Sequence, residues 1–121
     1  MSIRRFEDIQ AWQEARLLVK QFYLLTSEGA FAKDFSMRDQ IRGAAVSVMA
    51  NIAEGFDCDS NTEFARFLGI TRRSAVEVQS LLYAALNVGY IAPEKFKINY
   101  DLSGKTKALI SAFKAAMPKK H

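Results

Sequence analysis

The chain has 121 residues, half of them apolar, with one cysteine, one histidine and a formal net charge of +4. That length fits a single domain, residues 1–121, with enough apolar side chain to form a core unaided. An internal disulfide is excluded, a thiolate or imidazole metal cluster has no ligand set, and no stretch reaches the roughly 20 apolar residues of a membrane span.

In chain order, Arg4 and Arg5 meet Glu7 and Asp8 before any apolar block, which is not the pattern of an export signal, so the expected setting is the cytoplasm. Ala11, Ala15, Leu18, Phe22 and Leu25 then recur at alternating spacings of a helix face. Gly29 closes this first helix. Ser36, with Asp39 three residues on, is the expected N-cap of a second helix that turns Met37, Ile41, Ala44, Val48 and Ile52 inward, with Gly55 as its C-terminal stop.

Ser60 and Glu63 form a Ser-x-x-Glu capping box for a third helix carrying Phe64, Leu68, Thr71, Ala75, Val78, Leu82 and Ala85. Gly89 is placed to end it in a left-handed conformation, and Pro93 suits the first turn of a fourth. Here Phe96, Ile98, Tyr100 and Leu102 alternate as a strand would. With no partner strand in the chain, a helix facing inward through Ile98, Leu102, Leu109, Phe113 and Met117 is preferred, with a kink or frayed turn at Gly104. Short connections make successive helices antiparallel, so the expected fold is all-α, an up-and-down four-helix bundle. Its aromatic surplus, Trp12, Phe31, Phe35, Phe56, Phe64, Phe67 and Tyr90, suggests self-association.

Charge is uneven along the chain. Residues 1–91 carry 10 Lys and Arg against 11 Asp and Glu, whereas residues 92–121 carry 7 Lys against 2 acids. Arg72 and Arg73 in the third helix, with Lys95, Lys97, Lys105, Lys107, Lys114, Lys119 and Lys120, are the candidate contacts for RNA or DNA. The same lysines also suit a solvated outer face.

A polar set lies within the second and third helices: Arg42, Ser47, Asn51 and Glu54, facing Ser74 and Glu77. It reads either as a recognition network or as packing specification, with Arg42 paired to Glu77 or Glu54 to fix register. Catalytic readings are poor. Ser47 and Ser74 have no histidine nearby in the pattern, and His121 is terminal. Glu54, Asp57, Asp59 and Glu63 match no calcium loop, so capping and solvation account for them. No cofactor motif and no metal site is expected.

Three segments carry a family resemblance: Phe6-Glu-Asp-Ile-Gln-Ala-Trp12; Gln40-Ile-Arg42 with Ala44-Ala-Val-Ser47 and Asn51-Ile-Ala-Glu-Gly55; and Glu63-Phe-Ala-Arg-Phe-Leu68 with Ser74-Ala-Val-Glu77. Together they resemble the four-helix-bundle proteins of the 23S ribosomal RNA intervening-sequence type, over nearly the whole chain. The resemblance implies a bacterial, non-enzymatic protein that assembles into a ring-like homopentamer. A related branch serves the reverse transcriptase of diversity-generating retroelements. The expectation is therefore an oligomeric scaffold that contacts RNA or DNA through a basic surface. The alternative is a protein-interaction module, an accessory to a polymerase-like or other partner, that binds no nucleic acid.

Overall fold

The computed structural model describes residues 3–117, so Lys119, Lys120 and His121 lie outside the described residues. A single 3-10 turn, Phe6–Asp8, precedes α1 (Gln10–Leu25), the short α2 (Gly29–Lys33), α3 (Phe35–Phe56), α4 (Asn61–Asn87) and α5 (Pro93–Ala116); no strand occurs among the described residues. Local signals set several of these ends. The Ser60 hydroxyl accepts the Glu63 backbone N–H at 3.2 Å, which satisfies one of the orphan donors of the first turn of α4. Gly89 takes φ +81°, a conformation that costs other residues a clash, and Pro93 stands in the first turn of α5, where its missing N–H has no helical partner to lose.

Three boundaries differ from the sequence expectation. Gly29 does not close α1, which ends at Leu25; at φ +58° it opens the short α2. The N-cap of α3 is Asp34, whose carboxylate accepts the Met37 N–H at 3.1 Å, and Ser36 sits inside the helix. An aspartate two residues earlier outcompetes the serine because it also accepts the Tyr90 hydroxyl at 2.8 Å, which ties this corner to the α4–α5 connection. Gly55 is not a stop. It lies buried within α3, and a Cβ there would stand 2.7 Å from the Phe67 Cβ and 2.8 Å from the Phe64 ring, so its role is close approach of α3 to α4.

The four long helices form a ring in which α1 packs on α3 and α5, and α4 packs on the same two. Contacts fix their directions. Gly55 meets Phe67, whereas Val48 and Ser47 meet Thr71 and Ser74, so α3 and α4 run oppositely. Arg72 meets Ser111 and Gln79 meets Lys107, so α4 and α5 do as well. The core holds Leu18, Phe22, Phe31, Ile41, Val48, Ile52, Leu68, Val78, Leu82 and Ile110 at full burial. Each such side chain contributes about 1.5–3 kcal/mol by leaving water. Of the aromatic surplus, Trp12, Phe31 and Phe64 are buried and Phe56, Phe67 and Tyr90 half-buried; Phe35, 63% exposed, lies under the Arg38 guanidinium.

The inward face of α5 is only partly the expected one. Leu102, Leu109, Phe113 and Met117 pack half-buried against the core, but Ile98 is 60% exposed and the most buried positions are Asn99, Ser103, Thr106 and Ile110. The Ser103 and Thr106 hydroxyls donate to the carbonyls of Asn99 and Leu102 one turn back, so these small polar side chains enter the core already satisfied. The helix also continues unbroken through Gly104, where the Gln79 side chain packs across the missing Cβ position at 3.6 Å.

Candidate nucleic-acid interface

The polar set divides into two unrelated parts. Ser47 and Ser74 share a hydrogen bond of 2.9 Å across the α3/α4 seam, and Asn51 Nδ2 donates to both the Ser47 hydroxyl and the Ser47 carbonyl at 2.9 Å. Thr71 adds a second crossing bond to the Val48 carbonyl. These bonds close on one another and present no base beside the serine hydroxyls.

Arg42 pairs with neither glutamate. Its Nε donates to the buried Thr26 hydroxyl at 2.7 Å and its Nη2 to Ser27 Oγ at 3.2 Å, while the guanidinium lies 4.4 Å from the Tyr23 ring centroid. The C-terminus of α1, whose last carbonyls carry a partial negative charge and include Tyr23 O at 3.5 Å from Arg42 Nη2, draws a cation as a carboxylate would. Glu54 and Glu77 are exposed and form no ion pair among the described residues, because a carboxylate left in water avoids the desolvation cost of the seam.

The bundle sorts the cations. Lys97 is matched by Asp101 one turn on, at 2.8 Å, and this neighbour holds the ammonium above the usual lysine range. Lys105 turns to the opposite side of α5 and binds Glu14 of α1 at 3.0 Å. Lys95 stands at the far end of α5, beside a groove of about 580 Å³ between α1 and the start of α5. Asn99, 3% exposed, also lines that groove; its Nδ2 donates to the Lys95 carbonyl and its Oδ1 has no partner among the described residues.

Arg72, Arg73, Lys107 and Lys114 come together on the α4/α5 face. Arg73 Nη1 and Lys114 Nζ lie 3.8 and 4.0 Å from the point where a Gly69 side chain would begin, so two cations overhang one bare patch of α4. Arg72 Nε donates to Ser111 Oγ at 3.2 Å, and Lys107 Nζ donates to Gln79 Oε1 at 3.3 Å. None of the four forms an ion pair among the described residues. The nearest acid along α4, Glu77, is one turn from Arg73, and no acid occurs in residues 102–117. Gly69 and Ser111 escaped the sequence reading, although Gly69 sits one turn before Arg73 and Ser111 one turn before Lys114, spacings that mark them as neighbours on a helix face.

This arrangement suits a polyanion: donors and charges share one face, and no carboxylate pairs with them among the described residues. Among the described residues no group of three His, Cys, Asp or Glu side chains is placed to hold a metal ion, and no helix is long and apolar enough to cross a membrane.

A solved structure from Bacteroides thetaiotaomicron VPI-5482, described as a protein with unknown function from the S23 ribosomal protein family, has the same fold. The two share 21% identity over 88% of this chain and 96% of that one, with a TM-score of 0.81. No curated protein matches the chain. Residues 7–112 match the description of a 23S rRNA-intervening sequence protein, and the chain belongs to that family.

Proposed function

We propose that this protein is a non-enzymatic cytoplasmic scaffold whose α4/α5 face holds RNA or DNA. The observation that carries the reading is the pair of unmatched cations, Arg73 and Lys114, over Gly69, with Arg72 and Lys107 beside them. Like charges held this close repel, and a phosphate placed among them relieves the repulsion while releasing counterions from the nucleic acid. Membership of a family described by a ribosomal RNA intervening sequence supports the same partner class. A homo-oligomer, a pentamer in the resemblance, multiplies a modest site by avidity, and the half-exposed Leu17 and Leu24 on one face of α1 supply apolar surface for contact between copies.

The test is affinity for RNA and for duplex DNA measured against salt. The expected result is binding at low ionic strength whose logarithm falls linearly with the logarithm of salt concentration. Binding that is undetectable at low salt, or indifferent to it, overturns the proposal. The exposed Leu17, Leu24 and Phe35 favour a second reading, a protein-interaction module without nucleic acid. Recovery of one specific protein after nuclease treatment supports it, and loss of every partner on that treatment removes it.

A further inference from the structure

The cations of α4 end at Arg73, but the face they stand on continues. Val76, Ser80 and Tyr83 follow at helical spacing, all exposed, Tyr83 at 49%. On α5, the residues facing it run back from Lys114 through Ser111, Lys107 and Gly104 to Tyr100 and Phe96, at intervals of three and four. The three rings meet at the far end. Tyr83 lies 4.8 Å from Phe96 and 5.5 Å from Tyr100 between centroids, and Phe96 stacks on Tyr100 at 5.3 Å with 25° between planes. Phenols are uncharged near neutral pH and do not repel phosphate.

The α4/α5 face therefore carries cations at one end and, at the other, a cluster of three rings in which Tyr83 is exposed and Phe96 and Tyr100 are half-buried. Tyr100 and Lys114 are separated by about 21 Å at the helical rise, a span that admits several nucleotides of extended strand. Gln79 lies midway, held by Lys107 and packed over Gly104. Glu77, one turn after Arg73, is the one carboxylate beside the α4 stripe among the described residues; on α5, Asp101, adjacent to Tyr100, is held by Lys97 on another face of the helix.

We propose that this face is a site for single-stranded polynucleotide, with phosphates over Gly69 and a base stacked on the exposed Tyr83 ring, which Phe96 and Tyr100 buttress. The inference rests on the polyanion reading above and goes further by naming the strand state. A duplex offers the cations its phosphates but keeps its base faces against one another, so the aromatic end gains nothing from it. A single strand offers both, and stacking on a ring is tolerant of base identity.

The experiment is fluorescence anisotropy with an oligo(dT) and an oligo(U) of about 15 nucleotides, within the range of known single-strand sites, and a duplex of equal length, at low salt. Wild type is compared with Tyr83→Leu, which keeps apolar bulk without a ring, and Tyr83→Phe, which keeps the ring. Single strands of either sugar are expected to bind about tenfold or more tightly than duplex, with the preference lost in Tyr83→Leu and kept in Tyr83→Phe. Thermal melting verifies that both variants fold. Ultraviolet cross-linking of wild type to oligo(U), read by mass spectrometry, gives the answer without a substitution. Adducts on Tyr83, Phe96 or Tyr100 support the site, and adducts confined to other elements contradict it. Equal affinity for duplex and single strands, or an intact preference in Tyr83→Leu, overturns the inference and leaves the polyanion reading standing. Absence of salt-sensitive binding to any of the three probes removes both.

Discussion

α4 has two seams of opposite character. Toward α3 it is closed: Gly55 admits Phe67 at contact distance, Ser47 and Ser74 satisfy each other, and Thr71 bonds a main-chain carbonyl. Toward α5 it is left open at the rim, where Arg72, Arg73, Lys107 and Lys114 form no ion pair among the described residues and Tyr83 is half exposed. Polar residues on the first face are paired within the protein; the cations on the second form no ion pair among the described residues, and in the function proposed above their partner is a polyanion.

That contrast is broken most severely by changes on the closed side. Leu68→Ala, at a fully buried position, is expected to cost about 3 kcal/mol in chemical denaturation, through lost transfer energy and the cavity left behind. A loss of under about 1 kcal/mol would mean that the site collapses and the core is looser than drawn. Gly55→Ala is expected to cost about 2 kcal/mol despite alanine's better helix propensity, because the new methyl meets the Phe67 Cβ, which cannot swing away. A stabilised variant would show that α3 and α4 are farther apart. Ser74→Ala is expected to cost about 1 kcal/mol, since Ser47 keeps its bond from Asn51.

A further effect is read from its pH dependence. The Asp34 carboxyl is held below the usual aspartate range, first by the Met37 N–H and then by the Tyr90 hydroxyl. A depressed folded value means that this contribution is complete above the ordinary aspartate range and is lost as pH falls through the folded value. Thermal melting of Asp34→Asn is therefore expected to vary less with acid pH than wild type. Parallel curves for the two proteins would show that the Asp34 corner contributes nothing in the folded state.

The sequence made some of this legible and hid the rest for definite reasons. The Ser60 cap, the left-handed Gly89 and the Pro93 start depend on neighbours within a few residues, and all three stand where the sequence puts them. Arg42 was misassigned because its partner, Thr26, is an uncharged side chain on another helix, visible only once α1 and α3 are packed. The apolar stripe of α5 is right in Leu102, Leu109, Phe113 and Met117 but misses the centre of the buried face, because hydroxyls that bond their own helix behave as small core residues, which a count of apolar side chains does not register. The lysines could not be sorted along the chain: Lys105 is two residues from Lys107, yet the turn of the helix sends one to Glu14 and the other to Gln79. The aromatic step needs Tyr83 from α4 opposite two rings of α5, and although Phe96 and Tyr100 are one turn apart, nothing local announces the third.

The distinction between the two sides of α4 is tested most directly by the salt dependence of RNA binding in paired variants. Arg73→Gln with Lys114→Gln removes the cations over Gly69, whereas Lys20→Gln with Lys33→Gln removes as much charge from exposed positions on α1 and α2. The account predicts that the first pair lowers the slope of log affinity against log salt by about 1.5 to 2, as loss of two phosphate contacts requires, and that the second leaves it unchanged. Equal reduction by both pairs would show attraction by net charge alone, and would contradict a site on the α4/α5 face.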